Sequence, residues 1–272
     1  MKDTTQFGGF LFLLSLIGLC WTSVAFADDD NKVDVNTTGS QSNDSLVFNV
    51  TQTGYNNDTI FTIGGSSNSI LIKQEGNNNE ISFVDYWGSG EAWGGDLDGN
   101  SNALHFEQSG TGSKNDIGFH IQGNTNAVRW GQGTVLSNSS DTTFDSASYV
   151  ADDGGHTLNL DIHGSDNALT GYQKSTTGGD HTATVYFYSD DNIAWLRQQG
   201  SGDKNLYLRM DNDGNVVNSN QKGSGSHATS ITLGGSYGTT LNLIQDGSTS
   251  QIYNLTQSCV TAGGCTVSMT QE

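Results

Sequence analysis

Hydrophobic and polar positions alternate along this chain in a recurring seven-residue frame that begins with Asn and ends with Gln. In the copy at 68–74, Ile70 and Ile72 fall on the same side of an extended chain as the two amides. Most of the residues between them are polar. This period of two predicts a β-strand with one buried face. The frame recurs at 68–74, 102–108, 126–132, 167–173, 192–198 and 215–221, and with a changed first residue at 46–52 and 239–245.

The glutamines of successive copies are separated by 22, 34, 24, 41, 25, 23 and 24 residues. Most steps are near 24, and the two long ones contain an insertion. A fixed period of this size is typical of a solenoid, in which each repeat buries its apolar face against its neighbours. The pattern predicts an all-β, two-sheet β-solenoid of about eight rungs. Residues 265–271 fit the frame as a ninth half-rung.

A second strand follows each Gln after a tight turn. The turns are rich in Gly and Asn, which tolerate positive φ. In the second repeat, Ile81 and Phe83 are predicted to point inward from this strand. The residues predicted to open the second strands are Asn57, Asn79, Asn115, His156, His181, Asn205 and His227.

The inward amides are predicted to form ladders along the stack. Rungs spaced about 4.7–4.8 Å apart place Asn over Asn and Gln over Gln. A buried amide needs hydrogen-bond partners, and the same residue one rung away can supply them. The predicted ladder residues are Gln52, Asn68, Gln74, Asn102, Gln108, Asn126, Gln132, Asn167, Gln173, Asn192, Gln198, Asn215, Gln221 and Gln245.

Composition supports a strand-rich chain and excludes some partners. The chain has 36 Gly and no Pro, and Pro is the residue that a β ladder tolerates least. Its net charge of −19 makes nucleic acid and anionic membranes poor partners. No capping helix is predicted at either edge of the solenoid, and an unpaired edge is a template for another chain.

The chain is predicted to be secreted. Lys2 precedes an apolar run, and Ala25-Phe26-Ala27 fits a leader cleavage site, so residues 1–27 are predicted to be a signal peptide. Residues 28–44 form an acidic, polar segment without a strand frame of its own, and 45–272 form the solenoid. Insertions are predicted near 86–101 and 133–155. Trp87 and Trp93 in the first insertion would suit either sugar stacking or a lid.

Few residues suggest chemistry beyond folding. Cys259 and Cys265 are predicted to form a disulfide in an oxidising compartment, because no His lies nearby in sequence to complete a metal site. A row formed by His156, His181 and His227 could bind a metal, but simple replacement of the ladder Asn is favoured. The sequences 96–100 and 211–215 resemble fragments of calcium loops, although such residues are expected in turns. No catalytic, cofactor or metal residue is predicted.

The repeats resemble the curlin family, whose repeat is polar-x-φ-x-φ-x-Gln-x-Gly-x-x-Asn-x-φ-x-φ-x-Gln. The best local matches are 45–63 and 68–83, and the Asn-x5-Gln part covers most of 45–271. The chain departs from the family in having Asn where Ser is common, and in having more rungs and two insertions. Its second strands also end in apolar residues instead of Gln, at Ile63, Ile121, Ile162 and Leu233.

The resemblance implies a structural subunit that assembles outside the bacterial cell into amyloid-like fibres of a biofilm matrix, with adhesion as its role. It implies further copies of the chain as partners, a second curlin-like subunit, and cell or abiotic surfaces. It also implies export through an outer-membrane channel, guided by residues 28–44. It implies neither an enzyme nor a cofactor.

Two other classes of function remain open at this stage. One is a soluble secreted β-solenoid that acts as an adhesin or binds carbohydrate. The other is a β-helix enzyme that degrades polysaccharides, which the sequence disfavours. Such an enzyme needs clustered acids and bases on one outer face, whereas the chain has only 10 Lys plus Arg, and they are dispersed. No nucleophile elbow or His-Glu metal motif is present.

Overall fold

The computed structural model describes residues 21–26, 31–37, 46–81, 95–110, 114–133, 154–175 and 178–272. Most of the predicted leader lies outside these residues, as do 86–94 and 134–153 of the two predicted insertions, including Trp87 and Trp93. Among the described residues there is no helix with the length and apolarity that crossing a bilayer requires. The predicted fold class is confirmed, because these residues form two stacked parallel sheets in a β-solenoid.

Sheet A contains the first strand of every rung, where a rung is one turn of the coil. Its neighbouring strands are parallel, and the frame residues pair in register, for example Gln52 with Gln74 and Gln74 with Gln108. In spatial order, its strands are β1 (Trp21–Phe26), β3 (Val47–Thr53), β5 (Ser69–Gly76), β8 (Ala103–Gly110), β10 (Ala127–Gln132), β12 (Ala168–Lys174), β14 (Ile193–Gln199), β16 (Val216–Gln221), β18 (Thr239–Gln245) and β20 (Cys265–Gln271).

Sheet B contains the second strand of each rung and is less regular. One rung has its second strand in two short pieces, β6 (Glu80–Ile81) and β7 (Gly95–Asp98), both lying between β4 and β9. The other strands in spatial order are β2 (Lys32–Thr37), β4 (Asp58–Ile63), β9 (Asp116–Gln122), β11 (Thr157–Ile162), β13 (His181–Thr182), β15 (Lys204–Tyr207), β17 (His227–Gly235) and β19 (Gln251–Cys259).

The core lies between the two sheets and is built from the alternating apolar positions of the frame. Ile70 and Ile72 on β5 are fully buried, as the frame predicts. Aromatic rings from the two sheets contact each other in the core. The ring centroids of Phe48 on β3 and Phe61 on β4 are 5.2 Å apart in an edge-to-face contact. Because every rung contributes side chains from both sheets, the core is continuous along the stack.

One inward position of the frame holds a glycine, Gly171, and the neighbouring rung explains why. Gly171 on β12 is paired with Trp130 on β10, and a Cβ at Gly171 would lie 2.4 Å from Cζ3 of Trp130. The indole therefore occupies the space that a side chain at position 171 would fill. Its Nε1 also donates to Oε1 of Gln173 at 3.3 Å. A large residue in one rung and none in the next keep the core densely packed.

The turns after the glutamines require glycine for two reasons. Gly54 has a φ of 105°, which residues with a side chain rarely adopt. A Cβ at this position would also lie 1.9 Å from the carbonyl oxygen of Gly76 in the next rung. The turns therefore stack so closely that their backbones touch.

Two predicted boundaries are corrected by the structure. The prediction of no strand in 28–44 is wrong at Lys32–Thr37, which forms β2 and pairs with β4. The predicted insertion 86–101 is too long at its carboxyl end, because Gly95–Asp98 forms β7 and the side chain of Leu97 is fully buried. β7 has only four residues, so its period-two signal is weak, and β2 has no strand with the seven-residue frame before it.

Candidate functional site

A continuous row of glutamines runs along the inside of sheet A, and each side-chain amide donates to the next. Nε2 of Gln74 donates to Oε1 of Gln108 at 2.9 Å, and Nε2 of Gln108 donates to Oε1 of Gln132 at 2.9 Å. All of these bonds point in the same direction, from the earlier rung to the later. The members are Gln52, Gln74, Gln108, Gln132, Gln173, Gln198, Gln221, Gln245 and Gln271.

The same amides also join the two sheets. Nε2 of Gln74 donates to the backbone carbonyl of Asn79 in its own rung at 3.1 Å. It also lies 3.0 Å from the carbonyl of Asp58, at the start of β4 in the preceding rung. A buried amide leaves its partners unsatisfied when it is removed, which costs about 1–3 kcal/mol. The glutamine row therefore ties neighbouring rungs and facing sheets together.

The asparagine row differs in one respect from the predicted side-chain ladder, because its bonds go to the backbone. Oδ1 of Asn68 accepts from the backbone N–H of Asn102 at 2.9 Å, and Nδ2 of Asn68 donates to the carbonyl of Gly99 at 2.8 Å. The Asn side chain is one methylene shorter than that of Gln and reaches the neighbouring turn. Its members are Asn68, Asn102, Asn126, Asn167, Asn192 and Asn215.

A third polar row opens the strands of sheet B. Nδ2 of Asn79 donates to Oδ1 of Asn57 at 3.0 Å. The prediction that Asn205 belongs to this row is wrong, because Lys204 pairs with His181 and His227 and is fully buried. Asn31 also belongs to it, although the sequence interpretation missed it. The row is Asn31, Asn57, Asn79, Asn115, His156, His181, Lys204 and His227.

Burial controls the charge of this row. Nζ of Lys204 donates to the backbone carbonyls of Gly223 at 3.1 Å and Gly225 at 2.7 Å. Burial nevertheless lowers the pKa of Lys204 to about 8. Burial, followed by the neighbouring His156, lowers the pKa of His181 to about 3. The imidazole of His181 is therefore a neutral substitute for Asn. The stacked rings of His156 and His181, with centroids 4.8 Å apart, continue the row.

The cysteine pair and the two calcium-like sequences stabilise the fold. Cys259 at the end of β19 and Cys265 at the start of β20 form a disulfide, with Cα atoms 5.7 Å apart. In the first calcium-like sequence, the backbone N–H of Asn100 donates to Oδ1 of Asn124 at 2.9 Å. In the second, Oδ1 of Asp213 accepts from the backbone N–H of Asp190 at 3.1 Å. Both sequences therefore serve the turns.

The carboxyl-terminal end of the solenoid is open. β19 and β20 each have a neighbour on one side within the described sheets. The inward side chain of Met269 on β20 is 36% exposed, whereas Leu243, its partner one rung earlier, is 1% exposed. Ile252 on β19 is 72% exposed. Apolar side chains and unpaired backbone groups therefore share this end.

At the amino-terminal end, β2 is the outermost strand of sheet B, and β1 is the outermost strand of sheet A. β1 lies within the predicted leader, and its Phe26 is paired with Gln52. Phe has no amide to donate to the glutamine row. Oε1 of Gln52 is buried and has no hydrogen-bond partner among the described residues.

The fold and the three polar rows define a β-solenoid that is held together by ladders of internal hydrogen bonds. No family model, curated protein or solved structure matches the chain.

Proposed function

We propose that this protein is a secreted structural subunit that stacks end to end with copies of itself into extracellular, curli-like amyloid fibres of a biofilm matrix, with adhesion as the role. The proposal rests on one observation: the sheets are open at both ends of the described solenoid, and removal of the predicted leader would leave complementary half-rungs there. Open sheet edges template the addition of further strands, and this chain carries them at both ends once the predicted leader is gone.

The half-rungs complement each other in strand content. At the carboxyl end, β20 is a first strand in sheet A without a second strand beside it in sheet B. At the amino end, β2 is a second strand whose first strand, β1, belongs to the predicted leader. Cleavage after Ala27 removes β1 and exposes the edge of β3. β20 of one copy and β2 of the next then form a complete rung.

The glutamine row supports the same register. In a single copy, Nε2 of Gln271 has one long contact, 3.5 Å to the carbonyl of Ile252. By contrast, Nε2 of Gln245, one rung earlier, donates to Oε1 of Gln271 at 2.9 Å. If β20 pairs with β3 as β1 does, Gln271 lies opposite Gln52, whose Oε1 lacks a donor. The junction therefore satisfies both amides and continues the row.

The apolar side chains at the two ends also fit. Val267 on β20 and Leu255 on β19 are half-buried against the core, as are Val33 and Val35 on β2. In a stack, the apolar side chains at the carboxyl-terminal end of one copy pack against those at the amino-terminal end of the next. Burial of apolar area contributes about 25 cal/mol per Å², so the junction gains from the hydrophobic effect as well as from strand pairing.

Met269→Lys tests the open end. The inward side chain is already exposed in the single copy, so the variant should fold, but a stacked neighbour would bury the charge without a partner. Such burial costs several kcal/mol, so we expect elongation of the mature chain to slow at least about tenfold. Dye binding and electron microscopy measure elongation. Thr270→Lys, exposed on the outward side of the same strand, is the matched control and should elongate nearly normally.

A mixing experiment tests the direction of stacking. Val33→Lys blocks the amino-terminal end in the same way as Met269→Lys blocks the other. Each variant alone should remain mainly monomeric over the time in which the parent chain forms fibres, and an equal mixture should form one-to-one dimers through the two intact ends. Dimers of either variant alone would show that copies join like end to like end. Normal fibres of Met269→Lys would refute the proposed junction.

A second candidate, carbohydrate binding, is favoured by a groove on the outer face of sheet A. The groove has a volume of about 210 Å³, and Trp195, Arg129, His105 and Thr170 line it. An indole beside polar groups suits a sugar ring. A stable monomer at high concentration that binds a polysaccharide through Trp195 would favour this function over assembly.

A further inference from the structure

Two histidines and an aspartate meet on the outer face of sheet B, away from the glutamine row and both ends. His120 on β9 is paired with Asp161 on β11. His163 follows two residues after Asp161, so both side chains leave the chain on the same face. Among the described residues, this is the group of three or more His, Cys, Asp or Glu side chains that could hold a metal ion.

The donor atoms are close together. Oδ1 of Asp161 lies 2.6 Å from Nε2 of His163. The ring centroids of His120 and His163 are 5.1 Å apart in an edge-to-face arrangement. One donor atom from each of the three residues lies within 4.8 Å of the others. Donors that bind one zinc ion tetrahedrally are about 3.3 Å apart. Side-chain rotation must therefore close the widest separation by at most about 1.5 Å and open the Asp161–His163 contact by about 0.7 Å.

Tyr188 orients the carboxylate from the next rung. Its hydroxyl donates to Oδ2 of Asp161 at 3.0 Å, which leaves Oδ1 directed toward His163. Its ring also contacts His163, with centroids 4.9 Å apart. Partners of this kind fix the orientation of metal-ligating carboxylates.

The backbone that presents Tyr188 is strained. Tyr186, Phe187 and Tyr188 have φ values of 138°, 145° and 62°, which residues with a side chain rarely adopt. Phe187 is fully buried and anchors the segment. Strained residues of this kind cost about 1–3 kcal/mol each and concentrate at binding sites. The segment holds Tyr188 on the outer face of sheet B, beside His163.

We propose that His120, Asp161 and His163 bind a divalent transition-metal ion of the zinc, copper or nickel class. Imidazole nitrogens suit these ions, and a single carboxylate completes a mixed set of nitrogen and oxygen donors. Binding replaces the contact between Asp161 and His163 with a bond from each of these side chains to the ion. The alternative is a closed network of hydrogen bonds that holds the outer face together without a metal. The site does not depend on stacking, because all three ligands come from one copy.

Equilibrium dialysis of zinc against the folded chain tests this site, after treatment with a chelator. We expect one zinc ion per chain, with affinity in the micromolar range or tighter. His163→Gln, at a side chain 36% exposed, and Asp161→Asn should each weaken binding at least about tenfold. Tyr188→Phe should weaken it roughly tenfold through loss of the orienting bond. Cobalt(II) in place of zinc should give visible absorption bands that report nitrogen and oxygen ligation.

His105→Gln is the matched control. His105 also lies beside a carboxylate, with Nε2 3.3 Å from Oε1 of Glu107, but it lies on sheet A and outside the three-residue group. This variant should bind zinc like the parent chain. Thermal unfolding with chelator present checks that each variant is folded. The proposal is overturned if the parent chain binds no zinc. It is also overturned if His163→Gln and Asp161→Asn bind as the parent does.

Discussion

Individual buried polar residues decide how one rung joins the next. Each position is tied to a particular geometry: Gln reaches the Gln of the next rung, whereas the shorter Asn reaches the backbone of the next turn. The third row accepts Asn, His and Lys, because each of these side chains can donate to the turn carbonyls there. Nε2 of His181, for example, lies 3.0 Å from the carbonyl of Lys174. Titratable side chains are therefore buried in this row, and lowering the pH should destabilise the fold there.

His181 should make the fold sensitive to acid. Its folded pKa of about 3 lies below the unfolded value of 6.5, so the unfolded chain takes up the proton first as the pH falls. Stability is therefore lost between pH 6.5 and 3, by roughly 3 kcal/mol at pH 4. His181→Asn restores the residue found earlier in the row and should recover most of this loss.

Urea unfolding at pH 7 and pH 4, with chelator present, measures the difference. Thr270→Asn, at an exposed side chain without a titratable group, is the control and should show the same acid sensitivity as the parent chain. An identical pH response of His181→Asn and the parent chain would contradict the assignment of the proton to this residue.

At the scale of strands, sheet B absorbs the irregularities of the chain. β6 and β7 share one rung, and β13 has only two residues, whereas the frame strands of sheet A have at least six. The first predicted insertion interrupts a strand, and β7 then resumes it. Leu97 on β7 fills the inward position between Ile63 and Ile121.

Leu97→Ala should therefore be costly although the residue lies in a predicted insertion. It removes a fully buried side chain from the core, so the free energy of unfolding should fall by about 2–5 kcal/mol. Ile244→Ala, at a side chain 39% exposed on the outer face, is the control and should cost much less. Equal effects in denaturant unfolding would show that β7 does not hold its place in the core.

The glutamine frame allowed the register of sheet A to be predicted, because a fixed residue recurs at each rung and the period of two leaves one choice of face. β2 was missed although Asn31, Val33 and Val35 repeat the second-strand spacing, because no frame strand precedes them. The burial of Lys204 was missed because lysine is rarely fully buried, so its presence in the sequence does not predict a buried position. The group at His120 depends on pairing across an insertion and on the strained segment at Tyr188, which no periodic pattern reports.

The whole molecule carries a net charge of −19. Stacking two copies therefore brings two negatively charged molecules close together. Strand pairing and apolar burial at the junction act over short distances, whereas repulsion acts over the Debye length. The proposed assembly is therefore governed by salt in its rate and by the junction in its specificity.

Raising the salt concentration should speed elongation of the parent chain. Between ~10 mM and ~150 mM salt, the Debye length falls from about 30 Å to about 8 Å, which screens the repulsion between copies. Dye-binding kinetics on preformed seeds measure the rate. Salt should not rescue Met269→Lys, because its buried charge is poorly screened. A parent rate that falls as salt rises would contradict this account of assembly.

The common direction of the glutamine amides has an electrical consequence. Each amide carries a dipole of about 3.5 D, and dipoles aligned head to tail add instead of cancelling. Side-chain amides in a row from Gln52 to Gln271 thus give the solenoid a permanent moment along its axis. In a proposed fibre, every copy lengthens the same vector, so its two tips differ in potential and a suspension of such fibres should orient in an applied field.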